Sequence, residues 1–122
     1  MSNQATIAPA SIETICVSRA KHVSNGDDEI FTGIYKQPVK GKITLRTLNL
    51  DGDEQADLTV HGGKDKALYV YASEHYPYWQ NEFPDMDLPF GMFGENLTTR
   101  GMLEENVCIG DEFKIGTAIV RV

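Results

Sequence analysis

Short runs rich in β-branched and aromatic residues, several of them alternating between apolar and polar side chains, constrain this fold most. Such runs predict strands, because successive side chains of a strand point to opposite faces of a sheet. We expect hairpins between 30–36 and 42–50 and between 105–115 and 117–122, the second around Gly116. Residues 21–29 and 37–41 are predicted as a loop and a turn. The predicted strands are residues 11–17, 30–36, 42–50, 68–71, 105–115 and 117–122.

One stretch, residues 73–83, has helical spacing. Tyr76, Trp79 and Phe83 follow one another at steps of three and four residues, which places them on one face of a helix. Ser73 is a predicted N-cap, and Pro84 marks the end. We interpret the aromatic face as core packing rather than a ligand cage. The predicted fold is therefore mostly β and mainly antiparallel, with one short helix around 73–83.

Composition excludes several classes of protein. The 122 residues fit one domain at 11–122, with a flexible leader at 1–10. A formal charge of −7 argues against a nucleic-acid partner, which requires a basic face. No apolar run is long enough for a membrane span, and the N-terminus lacks the features of a signal peptide. The two distant cysteines do not indicate a disulfide framework, so we expect a cytoplasmic protein.

The segment 51–71 carries the strongest functional signal. It begins with four acidic residues in seven positions and continues into His61-Gly62-Gly63-Lys64-Asp65-Lys66. Paired glycines allow backbone N–H groups to approach a ligand closely, and the two lysines add positive charge. The segment therefore suits an anionic group such as a phosphate, or else forms a tight turn before a strand. It does not match a P-loop, an EF-hand loop or a zinc site.

A second candidate segment surrounds Glu95-Asn96. A carboxylate followed by an amide offers acceptors and donors that can recognise the edge of a ring. Asn96 can equally stabilise a turn. Both alternatives remain open on the residues alone.

The two segments together resemble one known family. The matching residues are Gly52-Asp53-Glu-Gln55-Ala-Asp57, His61-Gly62-Gly63-x-Asp65-Lys66-Ala67, Tyr71, Glu74-His75-Tyr76, Trp79, Phe93-Gly94-Glu95-Asn96-Leu97-Thr98-Thr99 and Val107-Cys108-Ile109-Gly110-Asp111. They resemble the MOSC domain, found at the C-terminus of molybdenum cofactor sulfurase, and are closest to its YiiM-like branch.

The resemblance implies a small β-barrel that binds a molybdenum–pterin cofactor. It also implies reduction of N-hydroxylated purines or amines, with electrons from a flavoprotein partner. The loop glycines and Lys66 would face the pterin phosphate, and Asp65 could accept a hydrogen bond from the pterin ring. The cofactor-binding residues that it implies are His61, Gly62, Gly63, Asp65, Lys66, Glu95 and Asn96.

The sequence also departs from this family. A Pro-Arg-x-Pro-Cys type motif, whose cysteine is the expected molybdenum ligand, follows a strand like residues 118–122 in the family, but the sequence stops before it. We therefore name no metal ligand and no catalytic residue, and leave open whether the chain is an enzyme or whether its barrel is complete. The alternative is a truncated, non-catalytic module that binds an anionic or purine-like ligand. An open C-terminal strand further predicts a homo-oligomer, most simply a dimer.

Overall fold

The computed structural model describes residues 10–54 and 64–122. Within these ranges most regular structure is β, and it is joined by one short α-helix. The strands are β1 (Ser11–Val17), β2 (Lys21–Asn25), β3 (Asp28–Thr32), β4 (Gln37–Val39), β5 (Val70–Ala72), β6 (Leu97–Arg100), β7 (Glu112–Ile115) and β8 (Ala118–Arg121).

A four-stranded sheet in the order β4-β1-β6-β5 forms the centre of the fold. Its pairs are antiparallel except β5–β6, which is parallel. Two further antiparallel pairs, β2–β3 and β7–β8, make separate two-stranded sheets. The fold is therefore mostly β and mainly antiparallel, as predicted, and the strands of the described ranges do not close into one barrel.

The first predicted hairpin is wrong in its position. The observed hairpin joins β2 to β3 through a turn that includes Gly26, inside the segment predicted as a loop. Gly26 has φ of 65° at the first turn position, a conformation that glycine adopts without strain. Residues 42–50, predicted as a strand, contain only an isolated bridge between Leu45 and Leu50. The predicted turn at 37–41 instead contains β4.

The middle of the sheet was not predicted from the sequence. β6 lies between β1 and β5, although its four residues include two threonines and an arginine. The apolar segment 68–71, expected inside the sheet, supplies β5, which is the last strand of that sheet. The apolar composition of residues 68–71 therefore predicted the wrong position for β5, and the sequence pattern predicted no strand at residues 97–100.

The predicted helix is present in two parts. A 3-10 turn at Ser73–His75 leads directly into α1 (Tyr76–Glu82), which ends at Phe83. Pro77 lies in the first turn, where its missing N–H leaves no bond unmade. The N-cap of this turn is Ala72, which makes no side-chain capping hydrogen bond, so the predicted capping by Ser73 is wrong. None of the helices in residues 10–54 and 64–122 is long and apolar enough to cross a membrane.

The second predicted hairpin is confirmed around Gly116, but its first strand is shorter than predicted: β7 begins at Glu112, and Glu104–Asn106 is a 3-10 turn. β7 and β8 pair antiparallel, with Ile115 opposite Ala118. The hairpin packs near the four-stranded sheet, and together they line an apolar cleft of about 760 Å³. We call this space the apolar cleft.

The interior next to the sheet contains many polar side chains. Its buried hydrophobic residues are Cys16, Leu50, Ala72, Tyr76 and Leu97. An unpaired polar group in such surroundings costs free energy, so each of these polar side chains needs partners. The buried polar residues are Asp53, Ser73, Glu95, Asn96, Thr98 and Thr99.

Candidate functional site

Asn96 joins three segments of the chain through its side chain. Its Nδ2 donates to the carbonyl oxygen of Cys16 at 3.1 Å and to Oδ2 of Asp53 at 2.9 Å. Its Oδ1 accepts from the backbone N–H of Tyr69 at 3.0 Å. Only 2% of Asn96 is exposed, so these bonds form away from water. The side chain thereby holds the segment that enters β5 against β1.

The backbone of Asn96 strengthens the same junction. Its N–H donates to the carbonyl of Tyr69 at 2.8 Å, and its carbonyl accepts from the N–H of Cys16 at 2.7 Å. Both the main chain and the side chain of Asn96 therefore bind the same two neighbours. The start of β6 is fixed relative to Tyr69, three residues after Lys66.

Asp53 carries a buried charge with a paired cation. Its Oδ1 lies 2.6 Å from Nζ of Lys36 and accepts the backbone N–H of Ser18 at 2.9 Å. The Lys36 side chain is 7% exposed and that of Asp53 is fully buried. Because a buried charge is tolerated only when it is paired and hydrogen-bonded, these contacts hold the last described residues before 55–63 in place.

Glu95 forms a second buried cluster on the side of α1. Its Oε2 accepts from the Tyr76 hydroxyl at 2.5 Å and from Oγ1 of Thr98 at 2.9 Å. Its Oε1 accepts the backbone N–H of Phe93 at 3.1 Å. Burial, together with the hydrogen bond to Glu95, raises the pKa of Tyr76 above its ordinary value. Tyr76 therefore remains a donor, and the cluster attaches α1 to the segment before β6.

Cys16 lies sealed between the sheet and the loop before β6. Its side chain is fully buried, and its Sγ lies 3.7 Å from the carbonyl oxygen of Phe90. Burial, reinforced by the charge of Glu95, raises the pKa of this thiol. A thiol that resists ionisation and is closed to solvent is poorly suited to bind a metal. Cys108, in contrast, is exposed.

The structure separates the sequence-predicted site residues into groups. His61, Gly62 and Gly63 lie outside the described residues. Asp65 and Lys66 are exposed on a 3-10 turn at Lys64–Lys66. Glu95 and Asn96 are buried, with their side chains bonded to other groups of the chain. Their direct contact with a cofactor stays a prediction.

The family resemblance implies that the loop 61–66 and the segment 93–96 line one cleft. The described part of the chain brings Asn96 onto Tyr69, directly after the turn that carries Asp65 and Lys66. Asp65 and Leu97, the residue after Asn96, also line the apolar cleft. For residues 61–63 the convergence stays a prediction.

Sequence reasoning missed several residues that build this site. Asp53 belongs to the matched family motif but has no predicted role, and Tyr76 is interpreted from the sequence only as part of an aromatic face. Lys36 carries no signal, because its partner is distant in sequence and their pairing depends on the fold.

In residues 10–54 and 64–122, no group of three or more His, Cys, Asp or Glu side chains could hold a metal ion.

Comparison with known proteins gives the class of protein. The MOSC domain family matches residues 57–122. The chain is 46% identical over 112 residues to YflK of Bacillus subtilis, covering 92% of this chain and 50% of that protein. It is 48% identical over 93 residues to Protein YiiM of Escherichia coli, covering 75% and 42%. A protein of Gibberella moniliformis named "Reductase" is 41% identical over 106 residues, covering 84% and 19%.

A solved structure agrees with these relatives. The crystal structure of YiiM from Geobacillus stearothermophilus superposes with a TM-score of 0.66 at 32% identity, covering 93% of this chain and 50% of that one. This chain belongs to the MOSC domain family and is YiiM-like. It spans half or less of the length of the curated relatives it matches.

Proposed function

We propose that this chain forms part of a molybdenum–pterin binding site in a YiiM-like protein. The observation that carries the proposal is the double attachment of Asn96 to Tyr69. It joins the segment around Glu95-Asn96 to the end of the stretch that contains His61-Gly62-Gly63. A binding segment that is already held in place binds its ligand more tightly, because less conformational entropy is lost on binding.

The residues in this proposal have two roles. His61, Gly62, Gly63 and Lys66 contact the phosphate, since backbone N–H groups and a cation suit an anion. Asp65 accepts from a donor on the pterin ring. Glu95 and Asn96 act as positioning residues behind them, because their described contacts are with the chain itself.

The described residues suit the pterin part of the cofactor but not its metal. The exposed Asp65 and Lys66 offer an acceptor and a cation, which suit the polar ring and the phosphate. The described residues do not fit molybdenum, since Cys16 is sealed and no ligand cluster is present among them. Consequently we assign no metal ligand in the described part of the chain.

The relatives support the proposed reaction class. One of them is named a reductase, and the YiiM-like resemblance implies N-hydroxylated purines or amines as substrates. In this proposal the bound cofactor supplies the electron transfer, and a flavoprotein supplies the electrons to it. The residues of this chain bind and orient the pterin.

Cofactor binding is tested on protein purified from a host that makes the cofactor. Pterin is measured by the fluorescence of its oxidised form after extraction, and molybdenum by mass spectrometry. Lys66→Ala and His61→Ala should each reduce bound pterin by about tenfold or more, because each removes a charge-assisted or polar contact. Lys42→Ala, which removes an exposed lysine of another segment, is the matched control and should retain pterin. Wild-type protein without pterin above the level of an unrelated protein would overturn the proposal.

A second candidate function is a binding module without redox turnover. The buried thiol of Cys16 favours it, since this thiol resists ionisation and is closed to solvent. With the same preparation, we expect pterin to be bound while a hydroxylaminopurine is not reduced in the presence of a reductant. Reduction that disappears when molybdenum is withheld from the host would show an enzyme instead.

A further inference from the structure

The buried ion pair of this structure lies outside the part of the chain that the MOSC family matches. The family matches residues 57–122, whereas Lys36 and Asp53 precede it. The side chain of Lys36 is 7% exposed and that of Asp53 is fully buried. Two charges lose their hydration on burial, so such a pair is weak evidence for stability, and fixing one arrangement of the chain is its best-attested use.

Each carboxylate oxygen of Asp53 has its own partners. Oδ1 accepts from Nζ of Lys36 at 2.6 Å and from the backbone N–H of Ser18 at 2.9 Å. Oδ2 accepts from Nδ2 of Asn96 at 2.9 Å. A carboxylate offers acceptors only, so the group that faces Oδ2 has to be a donor. Lys36 supplies the positive charge that compensates the buried carboxylate.

The carboxamide of Asn96 has two orientations of nearly the same shape, and only one of them fits its surroundings. Nδ2 faces two acceptors, Oδ2 of Asp53 and the carbonyl oxygen of Cys16, while Oδ1 faces the N–H of Tyr69. Reversing the group would place its oxygen against both acceptors and its NH2 group against an N–H donor. All three bonds would then be lost. The carboxylate fixes the orientation most strongly, because a hydrogen bond to a charged acceptor is stronger than one to a carbonyl.

We infer that Asp53 and Lys36 are positioning residues of the proposed pterin site, and that they act by fixing the orientation of the Asn96 carboxamide. The oriented carboxamide holds the backbone of Tyr69, shortly after the Lys64–Lys66 turn. A buried ion pair outside the matched region thus governs the position of the turn that is proposed to bind the pterin. The effect on the pterin rests on the proposed function, whereas the effect on Tyr69 does not.

Asp53→Asn tests this inference without changing the shape of the side chain. The new amide has one acceptor and one donor in place of two acceptors. If its oxygen keeps Lys36 and Ser18, its NH2 group faces the NH2 group of Asn96. If it is reversed, its NH2 group faces the two donors of Lys36 and Ser18. In both cases buried donors are left without an acceptor, which costs free energy.

Hydrogen exchange of the Tyr69 amide, followed by NMR, measures the attachment, and bound pterin is measured in the same preparations. Asp53→Asn should speed this exchange by about tenfold or more and lower bound pterin per folded protein by a similar factor. Lys36→Met should act in the same direction, because it leaves the carboxylate uncompensated. The matched controls are Asp51→Asn and Arg46→Met. They break an exposed ion pair of 3.0 Å in the neighbouring chain and should change neither quantity.

A double variant separates orientation from general destabilisation. Asp53→Asn combined with Asn96→Asp exchanges the donor and the acceptor of their hydrogen bond. The amide at position 53 then donates to the carboxylate at position 96, whose second oxygen accepts from Tyr69. The double variant should recover part of the Tyr69 protection and part of the bound pterin that Asp53→Asn loses; the bond to Cys16 is not recovered. Two merely destabilising substitutions would add their effects instead.

The unaltered protein provides a test that does not depend on any variant folding. The two side-chain protons of Asn96 should exchange slowly with water, because both are buried and hydrogen-bonded. Fast exchange of these protons refutes the inference, as does an unchanged Tyr69 amide in Asp53→Asn or a double variant worse than either single one. Full retention of pterin despite a freed Tyr69 amide refutes the positioning role. Absence of pterin from the wild type refutes the proposed function instead, and the exchange of Tyr69 still decides the orientation.

Discussion

At the scale of single residues, Gly91 closes the loop over Cys16. A Cβ atom at Gly91 would lie 2.8 Å from Sγ of Cys16, and its φ of 92° disfavours any other residue. Glycine at this position lets the loop before β6 pack against the sheet, because a Cβ atom there would collide with Cys16. The thiol is thereby kept from water.

Gly91→Ala should lower the free energy of unfolding by about 2–4 kcal/mol, since it adds backbone strain and overpacks a buried side chain. Gly41→Ala is the matched control, because its φ is 85° but nothing lies within 4 Å of a Cβ there. It should cost about 1–2 kcal/mol, the strain alone. Urea denaturation measures both. Equal decreases in the two variants would show that the approach to Cys16 is not tight.

At the scale of elements, the Tyr76 hydroxyl connects α1 to the segment before β6. It donates to Oε2 of Glu95 and accepts the backbone N–H of Gly91 at 3.1 Å. A single oxygen thus satisfies a buried carboxylate and a buried amide. Its removal leaves both short of a partner.

Tyr76→Phe should therefore destabilise the fold by about 1–3 kcal/mol, the cost of leaving buried polar groups unsatisfied. Tyr78→Phe removes a hydroxyl from the same helix, where the side chain is 59% exposed, and should change stability by less than about 0.5 kcal/mol. Thermal and urea unfolding both report the difference. A Tyr76→Phe protein as stable as Tyr78→Phe would contradict the role assigned to this hydrogen bond.

Local pattern predicted some elements and not others, for a physical reason. The helical segment after Ser73 and the β7–β8 hairpin depend on residues close in sequence, and the sequence predicts them; β1 is predicted from its own apolar residues, although its partners β4 and β6 are distant. β6 is held between β1 and β5 by distant strands, so its short threonine-rich sequence gives no strong signal. The same applies to Lys36, whose burial is explained only by Asp53.

The candidate site was predictable to a similar extent. Residue types left Glu95 and Asn96 open between ligand recognition and a turn, and only the family resemblance joined them to the loop at 61–66 as site residues. Their hydrogen-bond partners were not predictable, since Asn96 binds backbone groups of Cys16 and Tyr69 that carry no side-chain signal. A polar residue in a loop therefore suggests hydrogen bonds to other segments of the chain, but the sequence does not show which segments these are.

At the scale of the whole molecule, the proposed pterin site has to bind an anionic group with a chain of net charge −7. Binding of a pterin depends on charge and preorganised backbone near the Lys64–Lys66 turn. The net negative charge of the chain opposes binding of an anion, so local donors matter more than general electrostatic attraction.

The pairing of β1 with β6 has a consequence for how the protein is made. Asn96 and Cys16 are 80 residues apart, and the ribosome adds about 5–20 residues per second, so β1 waits roughly 4–16 s for its neighbour. The β2–β3 hairpin can form during this interval because its strands are adjacent in the chain. β1 cannot complete its pairing, and its apolar residues stay exposed on the nascent chain. We therefore expect the emerging first half to engage holding chaperones until β6 has left the ribosome.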